Sequence, residues 1–280
     1  MLNEDSEKEP FLNRSKGINH GAITRLMSPG DLGQMLKPFV FLDAVNLDVD
    51  GGLGFDWHPH SGIATVTIHF EGASWAEESN GEKHNVPSGG AEWVLAGKGV
   101  WHRGGPAEGH KVIKAFQLWL ALDPTNELRL AQSQYFSPET LPILDNVKVI
   151  LGEYKGVKSP VQSPDAITYL QISLHAGESI SIEMKAESDA RLLAVLEGDV
   201  NVSTSSSAVN KMVGPEIGAI KPAEKAITIQ AETGAMLVFG SAPKNQHALH
   251  LGRYSVHTSE AALAEGEQEI KDLHTALFER

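Results

Sequence analysis

The sequence contains no cysteine, so disulfide bonds, thiolate metal ligands and cysteine nucleophiles are excluded. It also lacks an apolar run long enough to span a bilayer. The segment Met1 to Pro10 is charged and has no apolar centre of the kind that a signal peptide requires. From these absences we expect a cytoplasmic protein that does not bind membranes.

Positive charge is scarce relative to negative charge. The chain has 23 Lys and Arg residues against 36 Asp and Glu residues, which gives a formal net charge of −13. An acidic surface repels phosphate backbones, so direct binding of nucleic acid is not expected. A partner protein with a basic patch is compatible with this charge.

Glycine is abundant, with 27 residues, and it separates short segments of alternating hydrophobicity. In the segment Gly62 to Phe70, Ala64 and Val66 fall on one face and Thr65 and His69 on the other. Short strands separated by glycine turns are typical of an all-β sandwich or barrel. We expect His69, which lies on the polar face, to be at the surface.

The second half of the chain repeats this pattern weakly. Residues 66–72 resemble residues 192–198, and residues 88–95 resemble residues 232–239. Two copies of one β module explain this similarity better than one long sheet. A final stretch rich in Ala, Glu and Leu, without proline, predicts a helix. The predicted organisation is a disordered tail over 1–15, a first module over 16–135, a second module over 136–258 and a helix over 259–280.

His58-Pro59-His60 is the strongest local signal for chemistry. Residues two apart in an extended chain point to the same side, so we expect both imidazoles to face the interior, in phase with Ala64. Two buried histidines must stay neutral and find partners, and a divalent metal satisfies both requirements. His102 follows a glycine turn, and a neighbouring strand can bring it beside the pair. Three imidazoles suit iron, nickel, copper or zinc.

The motifs around these histidines resemble the pirin family, over nearly the whole chain. They are Phe41-Leu42-Asp43, His58-Pro59-His60, Glu71-Gly72, the run from Glu92 to His102, Gln117-Leu118-Trp119 and, more loosely, Gly252 to Thr258. The resemblance implies an all-β fold of two tandem cupin barrels with a short C-terminal helix, and one metal in the first barrel. It also implies ligands in the order H-x-H and then H-x-E. Family members are linked to quercetin 2,3-dioxygenase activity or to roles as transcriptional cofactors.

The chain departs from the family pattern at Gly104, where the resemblance implies a glutamate ligand. Three interpretations remain open. The three histidines hold the metal together with water, which we favour; or Glu108, His110 or Glu92 takes the fourth position; or the site is degenerate and empty. For the metal we expect one divalent transition ion, iron first, with nickel, copper and zinc as alternatives.

The second module offers no comparable site. Aligned on the Glu197-Gly198 turn, the positions of the two paired histidines fall at Met184 and Ala186. His247 and His250 are three residues apart, a spacing that does not suit one face of a strand, and we expect both at the surface. The metal chemistry is therefore predicted in the first module alone.

Three functional hypotheses follow. The first is a metal-dependent dioxygenase that acts on a flavonol-like or other enolisable aromatic, with substrate or dioxygen at the open coordination position. The second is a non-enzymatic protein that senses a metal or a small ligand and acts through a protein partner. The third is a cupin without a metal. No catalytic residue beyond the metal ligands and no organic cofactor is indicated by the sequence.

Overall fold

The structure is a computed structural model that describes residues 9–48, 54–163 and 166–279. Within these residues it consists mainly of antiparallel strands, with two helices. The first part of the chain contains β1 (Phe11–Ser15), β2 (Ile18–His20), β3 (Ile23–Met27), α1 (Leu32–Met35), β4 (Phe39–Asp48), β5 (Phe55–His60), β6 (Ile63–Glu71), β7 (Ser74–Glu78), β8 (Lys83–Val86), β9 (Ala91–Leu95), β10 (Val100–Pro106), β11 (Val112–Ala121) and β12 (Gln132–Phe136). The second part contains β13 (Ile143–Leu144), β14 (Val147–Leu151), β15 (Glu153–Tyr154), β16 (Val157–Lys158), β17 (Thr168–Leu174), β18 (Ser179–Glu183), β19 (Ala190–Glu197), β20 (Asp199–Ser203), β21 (Asn210–Val213), β22 (Glu216–Ile220), β23 (Ala226–Ala231), β24 (Ala235–Ala242), β25 (His250–Leu251), β26 (Val256–His257) and α2 (Glu260–Phe278).

The chain divides into two compact units, and each is discontinuous in sequence. The N-terminal unit is built around residues 28–140 and includes residues 245–279. The C-terminal unit is built around residues 141–244 and includes residues 9–19. The predicted modules were contiguous, so the segment 245–258, which was expected to complete the second module, belongs instead to the first unit.

Two antiparallel sheets characterise the N-terminal unit. The larger contains the strands β12-β9-β6-β11-β4 in that order and the smaller has the order β5-β10-β7-β8. On β6, Val66 and Ile68 are buried as the alternation predicts, but Thr65 and His69 on the opposite face are buried as well. Both faces of this central strand are therefore covered, and the expectation that its polar face meets solvent was wrong.

The C-terminal unit also contains a larger and a smaller antiparallel sheet, but different residues occupy its interior. Its larger sheet has the order β1-β22-β19-β24-β17-β14-β13 and its smaller sheet has the order β18-β23-β20-β21. One aliphatic core joins the two sheets, with Leu170, Leu193 and Leu237 from the larger and Val202 and Ile229 from the smaller. Burial of this apolar area is the main favourable term for such a sandwich. The all-β prediction is confirmed.

The N-terminal segment differs from the predicted disordered tail over 1–15. Residues Phe11–Ser15 form β1, which pairs antiparallel with β22 at the edge of a sheet. Phe11 is buried, and Arg14 forms a salt bridge of 2.7 Å with the buried carboxylate of Glu216. One apolar ring and one ion pair thus order a segment whose composition is otherwise polar. Residues 1–8 of the predicted tail lie outside the described residues.

The predicted C-terminal helix is present as α2. Ser259 caps its first turn, because the hydroxyl accepts a hydrogen bond of 3.1 Å from the amide of Ala262. Gly266 and Ile270 lie on its buried face. Across the part of the chain that the structure describes, no helix is long and apolar enough to cross a membrane.

A buried hydrogen-bond network fixes the segment that returns to the N-terminal unit. Nε2 of His257 lies 2.6 Å from Oγ of Ser61, and Nδ1 lies 3.0 Å from Oε2 of Glu127. The Glu127 carboxylate also accepts hydrogen bonds from the amide and the hydroxyl of Thr258. Because Ser61 directly follows His60, this network positions the end of β5 against the C-terminal segment.

Candidate metal centre

Strands β5 and β10 bring the three predicted histidines together. The two strands pair antiparallel, with His102 opposite His58 and Val100 opposite His60. Residues directly opposite in such a pair share a face, and so do residues two apart on one strand. The ring centroids are 4.3 Å apart for His58 and His102, 4.9 Å for His60 and His102, and 5.1 Å for His58 and His60. One ring nitrogen from each histidine lies within 4.8 Å of the other two.

Burial keeps these imidazoles neutral. It lowers the pKa of His60 to about 3, with a smaller contribution from the neighbouring His58, and it lowers the pKa of His102 well below its ordinary value. The half-buried His58 also has a lowered pKa, mainly through loss of solvent. A neutral imidazole carries a lone pair, which a cation can use as a ligand.

Hydrogen bonding leaves the ligand atoms of this site without protein partners. Nδ1 of His58 lies 2.8 Å from the carbonyl oxygen of Asp56. Because a carbonyl oxygen only accepts, Nδ1 carries the proton and Nε2 keeps its lone pair. Nε2 of His60 and Nε2 of His102 are buried and make no hydrogen bond. Buried unsatisfied nitrogens are costly, so this donor set fits a divalent transition metal.

The structure gives a steric reason for glycine at position 104, where the family pattern has glutamate. This residue pairs with Ala76 on β7 and with Phe55 on β5, after a shift in register that follows His102. A Cβ atom at Gly104 would lie 2.7 Å from the carbonyl oxygen of Trp75, which is closer than real Cβ contacts. In this backbone the position lacks a carboxylate and also lacks room for one.

The three candidate substitutes for that carboxylate lie in two different environments. Glu108 and His110 are exposed in the loop between β10 and β11. Glu92 is buried on β9 and lines the same cavity as His58 and His102. The group of ligand atoms that lie within 4.8 Å of one another contains His58, His60 and His102, and none of these three candidate substitutes.

A cavity of about 120 Å³ adjoins the histidines. A polar row crosses it on four neighbouring strands, since Asp43 is opposite Gln117, Gln117 is opposite Thr67, and Thr67 is opposite Glu92. All four residues line the cavity, as do His58, His102 and the aromatic rings of Phe55 and Trp75. The cavity therefore presents hydrogen-bonding groups as well as apolar walls to a small molecule.

His69 is a cavity residue that the sequence prediction missed. It is 1% exposed, it lines the cavity, and burial lowers its pKa to about 4. The predicted phase was wrong because β5 and β6 belong to different sheets and Gly62 between them has φ of +74°. The face of β6 that meets the cavity thus carries Thr67 and His69 rather than Ala64. The isolated Gly62 was the available signal for this break.

The second unit has no equivalent of this histidine group among the described residues. Met184, at one of the aligned positions, lines a cavity of about 310 Å³ together with Lys185 and Phe239. His247 is exposed, as expected, whereas His250 is half-buried in β25. The histidine group is confined to the N-terminal unit.

Sequence comparisons relate the chain to proteins of one family. The family model Pirin matches residues 21–120. A pirin-like protein of Caulobacter vibrioides is 31% identical over 191 residues, which cover 65% of this chain and 68% of that protein. A Vibrio cholerae protein, provisionally named quercetin 2,3-dioxygenase, is 29% identical over 257 residues and 87% of each chain.

Structural comparisons relate the chain to solved structures of the same fold. A quercetin 2,3-dioxygenase from Acinetobacter baumannii superposes with a TM-score of 0.81 at 23% identity, over 92% of this chain and 95% of that one. A bacterial pirin from Escherichia coli, in complex with nickel(II), superposes with a TM-score of 0.63 at 19% identity, over 83% and 99%. At these identities the likeness shows the bicupin fold. Taken with the sequence matches, it places the chain in the pirin family.

Proposed function

We propose that the chain is a metal-dependent dioxygenase of the quercetin 2,3-dioxygenase type, with one divalent transition metal held by His58, His60 and His102. The observation that carries this proposal is the convergence of three neutral imidazoles, two of them buried and one half-buried, beside a small cavity. The provisional name of the Vibrio cholerae relative supports the reaction type. We expect iron, and nickel, copper and zinc accept the same nitrogen donors.

The residues of the chain prepare the site for such an ion. A bound divalent metal would act as a Lewis acid that lowers the pKa of a substrate hydroxyl. The histidines need not lose protons to bind it at neutral pH, because burial already keeps them neutral. Trp119 stacks on Phe41 at 4.1 Å and meets His60 edge to face at 4.8 Å, which keeps water from this side of the site.

A non-enzymatic role as a metal- or ligand-sensing protein is the second candidate, and Gly104 favours it. Without a carboxylate, three neutral ligands leave the charge of a divalent cation uncompensated. Weaker binding would make occupancy respond to the supply of metal, as a sensor requires. The net charge of −13 suits a partner protein with a basic surface.

The proposal is tested on untagged protein loaded with iron, nickel or copper. We expect about one equivalent of metal and oxygen uptake that matches the loss of quercetin. The variant His102→Ala should lose both properties, whereas His110→Ala, an exposed histidine of the neighbouring loop, should keep them. Metal binding without oxygen uptake would favour the sensor. Less than about a tenth of an equivalent would overturn the metal site itself.

A further inference from the structure

We propose that Glu92 takes up the proton of a hydroxylated aromatic ring that binds in the cavity of the N-terminal unit, in place of the carboxylate that position 104 lacks. This inference rests on the proposed function, because it concerns the substrate of the same site. Glu92 would act here as a proton acceptor and not as a metal ligand.

The position of Glu92 is the first support. The residue is 5% exposed and lines the cavity together with His58 and His102. Its Oε2 accepts a hydrogen bond of 2.9 Å from Oγ1 of Thr67, the residue opposite on β6. Its Oε1 is buried without a hydrogen-bond partner. A buried carboxylate with one unsatisfied oxygen is costly unless something supplies a donor, and a ligand hydroxyl is such a donor.

The charged neighbours of Glu92 make it a suitable acceptor near neutral pH. On β12, Tyr135 is opposite Glu92 and donates a hydrogen bond of 2.7 Å to Glu78 on β7. Burial, together with the negative charge of Glu78, raises the pKa of Glu92 to about 7, while the hydroxyl groups of Thr67 and Tyr135 lower it. The other charged or titratable groups that line the cavity are Asp43, His58, His69, His102 and Arg103.

The size of the cavity indicates the class of ligand. Its volume of about 120 Å³ is close to that of a cavity that holds one benzene ring, at roughly 150 Å³, and below the range of about 300–1,000 Å³ for drug-sized ligands. The cavity therefore suits a ligand of about one aromatic ring, with Phe55 and Trp75 among its apolar walls. The polar row of Asp43, Gln117, Thr67 and Glu92 supplies partners for hydroxyl groups on that ring.

The proton transfer conserves charge within the buried site. The ligand O–H bond breaks, the proton bonds to Oε1 of Glu92, and the electron pair stays on the ligand oxygen. Glu92 becomes a neutral acid and the ligand becomes an anion, so the number of negative charges in the cavity does not change. No charge has to be added to a low-dielectric environment, and no proton has to leave for solvent.

The test is calorimetric titration of the nickel-loaded and metal-free protein with catechol, whose hydroxyls are still protonated in water near pH 7.5, without oxygen, at that pH and in buffers that differ in ionisation enthalpy. We expect wild type to bind the probe with close to zero net release of protons. Glu92→Gln should release about one proton per bound ligand and bind about tenfold or more weakly. Glu71→Gln removes the same charge from an exposed position at the end of β6 and should behave as wild type.

Thr67→Val serves as a second variant if Glu92→Gln does not fold. It keeps the carboxylate but removes the hydrogen bond that lowers its pKa, so the pH midpoint of proton uptake should rise. Equal proton release in wild type and Glu92→Gln, or no binding of the probe to either form of the protein, would overturn the inference. Failure of the protein to load metal would instead overturn the proposed function. The two failures can be told apart because proton release on binding of the probe is also measured on the metal-free protein.

Discussion

The two units use similar pairs of sheets, yet their interiors differ. In the N-terminal unit, β5 and β10 carry three histidines, and β4, β6, β9 and β11 carry a polar row beside them. In the C-terminal unit a mainly aliphatic core joins the two sheets, and, among the described residues, the cavity of about 310 Å³ beside Met184 lacks a histidine group. Buried polar groups without partners cost stability, whereas a continuous aliphatic core adds to it. The comparison teaches that a candidate metal centre can be built on a few strands of one unit while the other unit keeps a similar pair of sheets without it.

The largest expected effect is on metal content. His60→Ala removes a buried imidazole of the candidate centre, and under the proposed function it should lower metal affinity by more than the ~10–100-fold typical of an outer-shell change. The double variant Met184→His, Ala186→His places an H-x-H pair in the C-terminal unit and should bind no second ion, because the third histidine is missing. Elemental analysis of untagged protein checks both results. A second equivalent in the double variant would show that the fold alone suffices.

Acid should destabilise the metal-free N-terminal unit more than the C-terminal one. Burial lowers the pKa of His60 to about 3 and that of His69 to about 4, below the 6.5 of an unfolded chain. Their contribution to the free energy of unfolding is complete above about pH 6.5. As the pH falls from there toward the folded pKa, each histidine loses about 1.4 kcal/mol of this contribution per pH unit. Glu92, with its pKa raised to about 7, acts in the opposite sense and offsets one histidine between pH 7 and 4.5.

Tryptophan fluorescence can follow this loss in one unit. All five tryptophans lie in the N-terminal unit, and the C-terminal unit has a single histidine, the exposed His175. The urea midpoint from fluorescence should fall between pH 7 and pH 5, while amide exchange in β17, β19 and β24 changes less. A fluorescence midpoint that stays constant would contradict the burial of neutral histidines.

A smaller effect is expected from adding one methyl group at a glycine of each unit. Gly104→Ala places Cβ 2.7 Å from the carbonyl oxygen of Trp75 and should cost about 1–3 kcal/mol of unfolding free energy. Gly234→Ala is the matched control in the C-terminal unit, where the nearest atom, the carbonyl oxygen of Leu174, is 4.0 Å away. Urea unfolding measures both changes. Equal costs would mean that β7 can move and that a carboxylate at 104 is sterically allowed.

The smallest expected effect concerns the network around His257. Ser61→Ala removes the 2.6 Å contact to Nε2 of His257 and should cost about 1 kcal/mol, because a buried nitrogen loses its partner. Ser181→Ala, which breaks an exposed hydroxyl pair with Thr228 in the C-terminal unit, should cost less. Thermal unfolding compares the two variants. A larger loss from Ser181→Ala would reverse the assignment of the network as a stabilising element.

Local patterns in the sequence predicted a large part of this molecule. Alternation revealed the strands, and the H-x-H spacing identified His58 and His60 as neighbours on one side of β5. His102 followed from a glycine turn before a strand. These features depend on residues close in the chain, where side-chain direction repeats with a fixed period.

The errors arose where distant parts of the chain decide the outcome. The burial of His69 depends on Gly62, where the alternation of side-chain direction is interrupted between β5 and β6. The formation of β1 depends on the contacts of Phe11 and Arg14 with β22. The return of residues 245–279 to the N-terminal unit depends on His257 meeting Ser61 and Glu127, which are far away in sequence. Periodicity carries no information about such partners.

The discontinuity of the N-terminal unit reverses the order in which the units can be completed during synthesis. Residues 245–279 are synthesised only after residues 141–244. At ordinary elongation rates of roughly 5–20 residues per second, this delays them by about 5–20 seconds after residue 140 has been added. During that interval Ser61 and Glu127 have no His257, and the end of β5 lacks its support. The C-terminal unit, most of which is translated second, is thus the first to hold its full set of strands, and the contacts that support the end of β5 are added last.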